Sequence, residues 1–240
     1  VSSNAISNSD YNNLYSKGPN VAFWNGNRPT LADWQANTSF DANSLSVDPI
    51  FLSGDSYQIS LIDLNDAAFP SPLVAFDIEG ESRDASMPDI GADEFIPAPV
   101  DAALLAFAAP NQPFSPGIQD IKVVVKHNGS EVLDSLSVGW AVNGDPETPY
   151  RWMGTLASGA TDTVTIGTFD FAPSAMYQLD AWSFDPNGMV DPIPQNDSTM
   201  VDSLVTALAG SYTIGGSNPD FNSFNDAIDA MNLGGILDTV

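Results

Sequence analysis

The sequence predicts an all-β protein, and three observations predict it. Residues 1–95 are rich in Asn, Ser, Asp and Gly, with short apolar clusters such as VAFW and VDPIFL and no sustained helical period. Such a stretch reads as short strands joined by irregular turns. From Val100 to about Leu208, apolar and polar residues alternate between turn signals spaced about eight to twelve residues apart, the pattern of an antiparallel sandwich. From Ala209 a third texture follows: a strand, a Gly-Gly turn and one short helix.

Taken in order, the first element is a helical decoration at TLADWQAN. Thr30 is its cap, Asp33 stands at the third helical position, and Leu31 and Trp34 share a face. IPAPV then places Pro97 and Pro99 in a stiff extended connector, since each proline fixes its φ and removes a donor. With its apolar neighbours this connector is expected to pack as a joint. Ile121, Val123 and Val125 alternate with Lys122, Val124 and Lys126, and Asn128-Gly129 supplies a turn. Leu136, Val138, Trp140 and Val142 point one way while Ser135, Ser137, Gly139 and Ala141 point the other. Val164 with Ile166, and Tyr177 with Leu179, continue the pattern. About seven strands in about 110 residues is the size of an immunoglobulin-like sandwich. In the tail, Ser223 caps a helix with Asp226 completing the capping box, Phe224, Ala227, Ile228 and Met231 form its apolar stripe, and Gly234 closes it. GILDTV reads as a strand without a partner. So short a piece cannot bury its own stripe, so it needs a neighbour or a continuation, and the chain is expected to be a segment of a longer protein.

Six Lys and Arg stand against 31 Asp and Glu, a formal net charge of −25. A field that negative repels phosphate backbones and anionic membranes, which argues against nucleic-acid partners and leaves cations open. With no cysteine, neither a disulfide framework nor a thiolate zinc site can form. No apolar run approaches membrane-spanning length, so direct membrane insertion is not expected.

SDYNNLYSKG, SVDPIFLSGDSYQIS and DIEGESRDASMPDIGADEF resemble the closing coils of right-handed parallel β-helix domains in secreted bacterial proteins, where a D-I-G-A-x-E phrase ends the solenoid. DIKVVVKHNGSEVLDSLSVGWAVNG, TPYRWMGTLASG and DPNGMVDPIPQNDS resemble the CARDB-like immunoglobulin-like domains of the same proteins. GSYTIGGSNPDFNSFNDAIDAMNLGG is similar to the beginning of another β-helix domain. The resemblance implies three regions: closing coils over 1–96, a sandwich over 97–208, and the cap of a following β-helix over 209–240. It implies a non-enzymatic structural or adhesive segment, a rigid spacer and joint, in a very large extracellular or cell-surface protein exported by type IX secretion. Its partners would be neighbouring β-helix and sandwich domains of the same chain, and a carbohydrate or other surface ligand. The competing classes are an accessory region of a polysaccharide-acting β-helix enzyme and a carbohydrate-binding module.

The acidic knot MPDIGADEF, residues 87–95, reads as punctuation: Ile90 and Phe95 plug the last coil, Gly91 permits a tight turn, and Arg83 is placed to neutralise the carboxylates. His127, the single histidine, is expected exposed at a strand end. Asp185, Asn187, Asp191, Asn196 and Asp197 offer hard oxygen ligands in one loop, for calcium or as ordinary turn formers; no EF-hand spacing is met. Trp24, Trp34, Tyr150 and Trp152 are candidates for stacking on sugars, or for the core. Ser135, Thr163, Ser198, Ser203 and Thr239 each follow an Asp and resemble O-glycosylation acceptors of such exported proteins, with Ser135 and Thr163 expected to face outward.

Overall fold

The computed structural model describes residues 6–52, 57–173, 175–208 and 210–237. The chain divides into two compact units, Val1–Pro99 and Val100–Val240.

In the first unit, regular structure is sparse. A two-residue antiparallel hairpin joins β1 (Ala22–Phe23) and β2 (Asn27–Arg28). Helix α1 (Leu31–Thr38) begins at Thr30, whose side chain accepts from the Asp33 N–H while the Asp33 carboxylate accepts from Thr30, the capping box expected there. A parallel bridge pairs Asn13 with Leu45, and the Asn13 amide extends it by donating to the Val47 carbonyl at 2.9 Å and accepting from its N–H at 3.0 Å. Ile59, Leu61, Leu64 and Ile90 form a small core with Leu45, Val47, Ile50 and Phe95 packed on it. No closed solenoid coil is present among the described residues. The Asn- and Ser-rich stretches also pair their backbone with side chains, as at Asn12 with Ser44, Leu14 with Ser46 and Val47 with Asn13.

The second unit is a two-sheet β-sandwich. One sheet is antiparallel and ordered β3 (Ala102–Ala109), β4 (Gly117–His127), β8 (Thr161–Phe171). The other runs β10 (Ser198–Val205), β9 (Met176–Phe184), β5 (Leu133–Val142), with β6 (Asp145–Pro146) and β7 (Tyr150–Leu156) both paired to β5. The chain changes sheets between β4 and β5, again between β7 and β8, and again between β8 and β9. This is the strand order of an immunoglobulin-type sandwich.

Ile121, Val123 and Val125 are buried on the inner face of β4, and Leu136, Val138, Trp140 and Val142 on that of β5. The outer face of β5 departs from the expected exposure: Ser135 and Ala141 are buried too. β5 is central in its sheet, and Trp182 lies on Gly139 while Arg151 donates to both Ser135 Oγ (2.6 Å) and Ser137 Oγ (2.8 Å).

Helix α2 (Phe224–Gly234) starts at Ser223 with the Asp226 box. Its cap is Gly235, one residue beyond the glycine the sequence suggested, at φ 79°. Ala227 alone of the apolar stripe is fully buried; Phe224 remains 68% exposed. The segment expected to lack a partner has one: Leu208 and Ile236 form a parallel bridge, with Leu208 N–H to Gly235 O at 3.0 Å and Leu237 N–H to Leu208 O at 3.1 Å. The tail also touches the sandwich, whose Gln112 side chain donates to the Leu233 carbonyl at 3.0 Å.

Candidate functional site

The acidic knot holds the chain together. Asp89 takes the N–H of Asp66 (2.6 Å) on one oxygen and of Phe95 (2.7 Å) on the other. Glu94 takes those of Asp84 (2.8 Å) and Asp89 (3.2 Å), and Asp93 that of Ile59 (3.2 Å). Arg83 faces the carbonyls of Asp89, Gly91 and Asp93, with its Nε 3.9 Å from Glu94. Burial pushes the Asp89 carboxyl above its ordinary range, against the two N–H groups that bind its charged form. An adjoining cavity of about 530 Å3 is lined by Tyr11, Phe51, Arg83 and Asp89 among others. The two terminal nitrogens of Arg83 and both carboxylate oxygens of Asp89 are thus already engaged with backbone, while Arg83 Nε is buried without a hydrogen-bond partner.

Asp77, Glu79 and Asp93 each bring an oxygen within 4.8 Å of the others, a spacing one cation can bridge. Asp77, however, accepts from the N–H groups of Glu81 (2.7 Å) and Glu94 (3.2 Å), and Glu79 is exposed. Desolvation and the charges of Asp93 and Asp77 raise the Glu79 carboxyl.

A different set of oxygens gathers at one end of the sandwich. Asp101, just before β3, is 1% exposed, and Asn196 Nδ2 donates to its Oδ1 at 2.9 Å. Asn128, also 1% exposed, donates its backbone N–H to the Asp101 carbonyl at 2.8 Å, and its side chain favours the charged form of the same carboxylate. Asp191 accepts from the N–H groups of Ala102 (2.8 Å) and Ile193 (3.0 Å). Ser183 N–H donates to the Asp197 carbonyl at 2.8 Å. Burial, and then the charge of Asp191, carry Asp101 up to about 6; burial, Asp191 and Asp101 carry Asp197 up to about 7. Asn128 Oδ1, Asn196 Oδ1 and Asp197 Oδ1 are buried without a hydrogen-bond partner in the protein.

His127 belongs to this end and is fully buried, not exposed as its strand-end position suggested. One ring nitrogen lies 3.0 Å from the Asp101 carbonyl and the other faces the Glu131 carbonyl. The histidine therefore anchors two loops, and neither ring nitrogen is free to act as a base or a ligand.

The five oxygen donors expected in one loop fall into two networks. Asp191, Asn196 and Asp197 join Asp101 and Asn128. Asn187 instead accepts from the N–H groups of Asp134 (2.7 Å) and Ser135 (3.1 Å) and donates to Val132 O (2.8 Å), clamping the start of β5, and Asp185 is exposed beside it. Sequence reasoning missed Asp101 and Asn128 because they lie far from 191–197 along the chain; only the register of β3 brings them together.

Trp34 and Trp152 are buried, with indole N–H groups on Asp41 (2.6 Å) and Asp162 (3.2 Å), so neither offers a stacking face. Trp24 packs edge-on to Trp34, and Tyr150 is 39% exposed. Ser135 is buried at 7% exposure with Arg151 on its hydroxyl, which removes it as a glycosylation acceptor. Thr163, Ser198 and Ser203 are exposed, and Thr239 lies outside the described residues.

No protein-family model matches the chain, and no curated protein matches it. Among solved structures, the chain is similar to the CARDB domain of the PF1109 protein from Pyrococcus furiosus, crystallised in complex with di-metal ions. The match is 20% identical, covers 45% of this chain and 94% of that one, and has a TM-score of 0.37. The solution structure of the same domain matches at 20% identity over 45% of this chain and 97% of that one, TM-score 0.35. A beta-glucosidase from Kluyveromyces marxianus matches at 12% identity over 50% of this chain and 15% of that one, TM-score 0.25. Likeness at this level assigns no function, and the sandwich rests on the chain's own strand order.

Proposed function

We propose that the chain is a non-enzymatic structural or adhesive segment of a large secreted or surface-exposed protein: the end of a parallel β-helix, a CARDB-like sandwich, and the start of a further β-helix. The observation that carries this reading is where the acidic and basic groups go. Asp89, Asp93, Glu94, Arg83 and His127 all engage backbone N–H or carbonyl groups, so they position chain and not substrate. A general acid or base must reach a proton on a bound molecule.

The parallel bridge at Asn13–Leu45 and the D-I-G-A-D-E phrase support the solenoid part. The accessory-enzyme and carbohydrate-module readings lack a comparable observation, since two of the four candidate stacking aromatics are buried.

The test measures the purified chain on two panels: turnover of acidic and neutral polysaccharides, and retention on carbohydrate- or protein-coated surfaces. No turnover, with saturable retention on a surface, is the expected outcome. Turnover that disappears in Glu94→Gln or Glu79→Gln overturns the reading in favour of an enzyme.

A further inference from the structure

We propose that the sandwich binds a divalent cation of the hard, oxygen-seeking class represented by calcium, held by Asp101, Asn128, Asn196 and Asp197. Two kinds of observation converge on this place. Three side-chain oxygens, those of Asn128, Asn196 and Asp197, are buried with no partner, and all three are acceptors. Buried polar atoms are almost always satisfied, so three orphans in one network call for a common positive or donating partner. Both amides lie against the Asp101 carboxylate. With carbonyl and C–N bonds of about 1.23 and 1.33 Å, an amide oxygen is never far from its nitrogen, so each orphan is close to that carboxylate. A half-turn of either amide about its Cβ–Cγ bond exchanges nitrogen for oxygen at the same spot.

The second observation is that carboxylates outnumber the one basic side chain set among them, His127. The carboxylates of Asp101, Asp191 and Asp197 gather at this end of the sandwich: Asp101 is 1% exposed, Asp191 accepts from the neighbouring Ala102 N–H, and Asp197 follows the Asn196 that donates to Asp101, and like charges so placed repel. The ion pairs Lys17–Asp48, Arg83–Glu94 and Lys122–Asp120 lie elsewhere. A water molecule satisfies an acceptor but neutralises nothing; a cation does both. Oxygen-only donors without thiolate or free imidazole select calcium or magnesium over the softer metals, and a mixed amide–carboxylate set on three separate chain segments suits the flexible shell of calcium. Asp191, with both oxygens on backbone N–H groups, holds the 191–197 loop to β3 and adds field.

Such an ion would tie the segment leading into β3, the turn after β4 and the segment leading into β10. The first and last strands of the sandwich would then be locked at one end. The site stands on the sandwich alone, so its failure and that of the adhesive reading are distinguishable.

The experiment uses the full chain, stripped with chelator, and titrates calcium chloride by calorimetry and thermal melting. One saturable site is expected, with a rise in Tm beyond that given by sodium chloride at equal ionic strength. Asp197→Asn and Asp101→Asn each weaken binding at least tenfold and remove the surplus, whereas Glu79→Gln, in the rival carboxylate trio, leaves it intact. Carboxyl carbon shifts in the unmodified chain, moving at Asp101 and Asp197 on calcium addition, give the same answer if a variant does not fold. No saturable binding, a surplus that survives Asp197→Asn, or shifts confined to Asp77 and Asp93 overturns the proposal.

Discussion

At Asp41 a carboxylate is held inside the first unit by four side-chain donors: Trp34 Nε1 at 2.6 Å, Asn12 Nδ2 at 2.7 Å, Ser44 Oγ at 2.8 Å and Ser9 Oγ at 3.0 Å. Burial alone would raise its pKa, but the hydrogen bonds from Asn12, Trp34, Ser44 and Ser9 outweigh it and the group ends below 3.8. A depressed carboxylate stabilises the fold at pH values above its unfolded pKa, and that contribution is lost as pH falls through the folded one. The first unit should therefore soften below about pH 4. Asp41→Asn should be less stable at neutral pH and show a shallower acid dependence, read from tryptophan fluorescence; an unchanged acid limb would remove Asp41 from that role. Asp41→Ala strands four donors and should cost on the order of 3 kcal/mol. Both SDYNN and the TLADW helix are visible as motifs in the sequence, but their meeting at Asp41 is not. It depends on Asp41 adopting a left-handed φ of 59°, which no spacing rule announces.

Among the elements, capping was legible and burial at sheet centres was not. Thr30 with Asp33, and Ser223 with Asp226, are local signals, and both helices start where those residues place them. Thr30→Ala should cost about 1 kcal/mol, measured by chemical denaturation; no loss would mean the cap is replaced by water. The β5 alternation was equally readable, but not what covers its outer face, because Arg151 and Trp182 arrive from other strands. Three tryptophans, in fact, lie on three glycines: Trp182 on Gly139, Trp152 on Gly154 and Trp140 on Gly167. A Cβ at Gly167 would stand 2.5 Å from the Trp140 ring. Displacing a packed indole strains the core, so Gly167→Ala should destabilise the sandwich by roughly 1–3 kcal/mol. A neutral substitution there would show that the ring has room to move. The β-helix expectation met a different limit: no closed coil appears among the described residues of 1–96, where side chains take backbone groups that a neighbouring coil would pair.

Across the whole molecule, 31 acidic residues face six basic ones, and the described ion pairs neutralise few of them. Self-repulsion destabilises a compact state and salt screens it, the screening length falling from about 30 Å at 0.01 M to about 10 Å at 0.1 M. The two units should not respond equally. Among the described residues the main core cluster of the first unit is Ile59, Leu61, Leu64 and Ile90, whereas the sandwich core holds Phe171, Leu133, Leu136, Leu179, Ile121 and many more. The smaller apolar core leaves less margin, and the same free-energy change moves the Tm of a smaller unit by more degrees. Calorimetry should therefore resolve two transitions, the lower one shifting upward more steeply as sodium chloride is raised from about 0.01 M to about 0.1 M. Asp41→Asn should displace only the lower transition and Gly167→Ala only the upper, which identifies each. Calcium at matched ionic strength should add its surplus to the upper transition alone, since Asp101 and Asp197 belong to the sandwich. A single transition, or two that ignore salt, would show instead that the units melt together or that charge does not limit their stability.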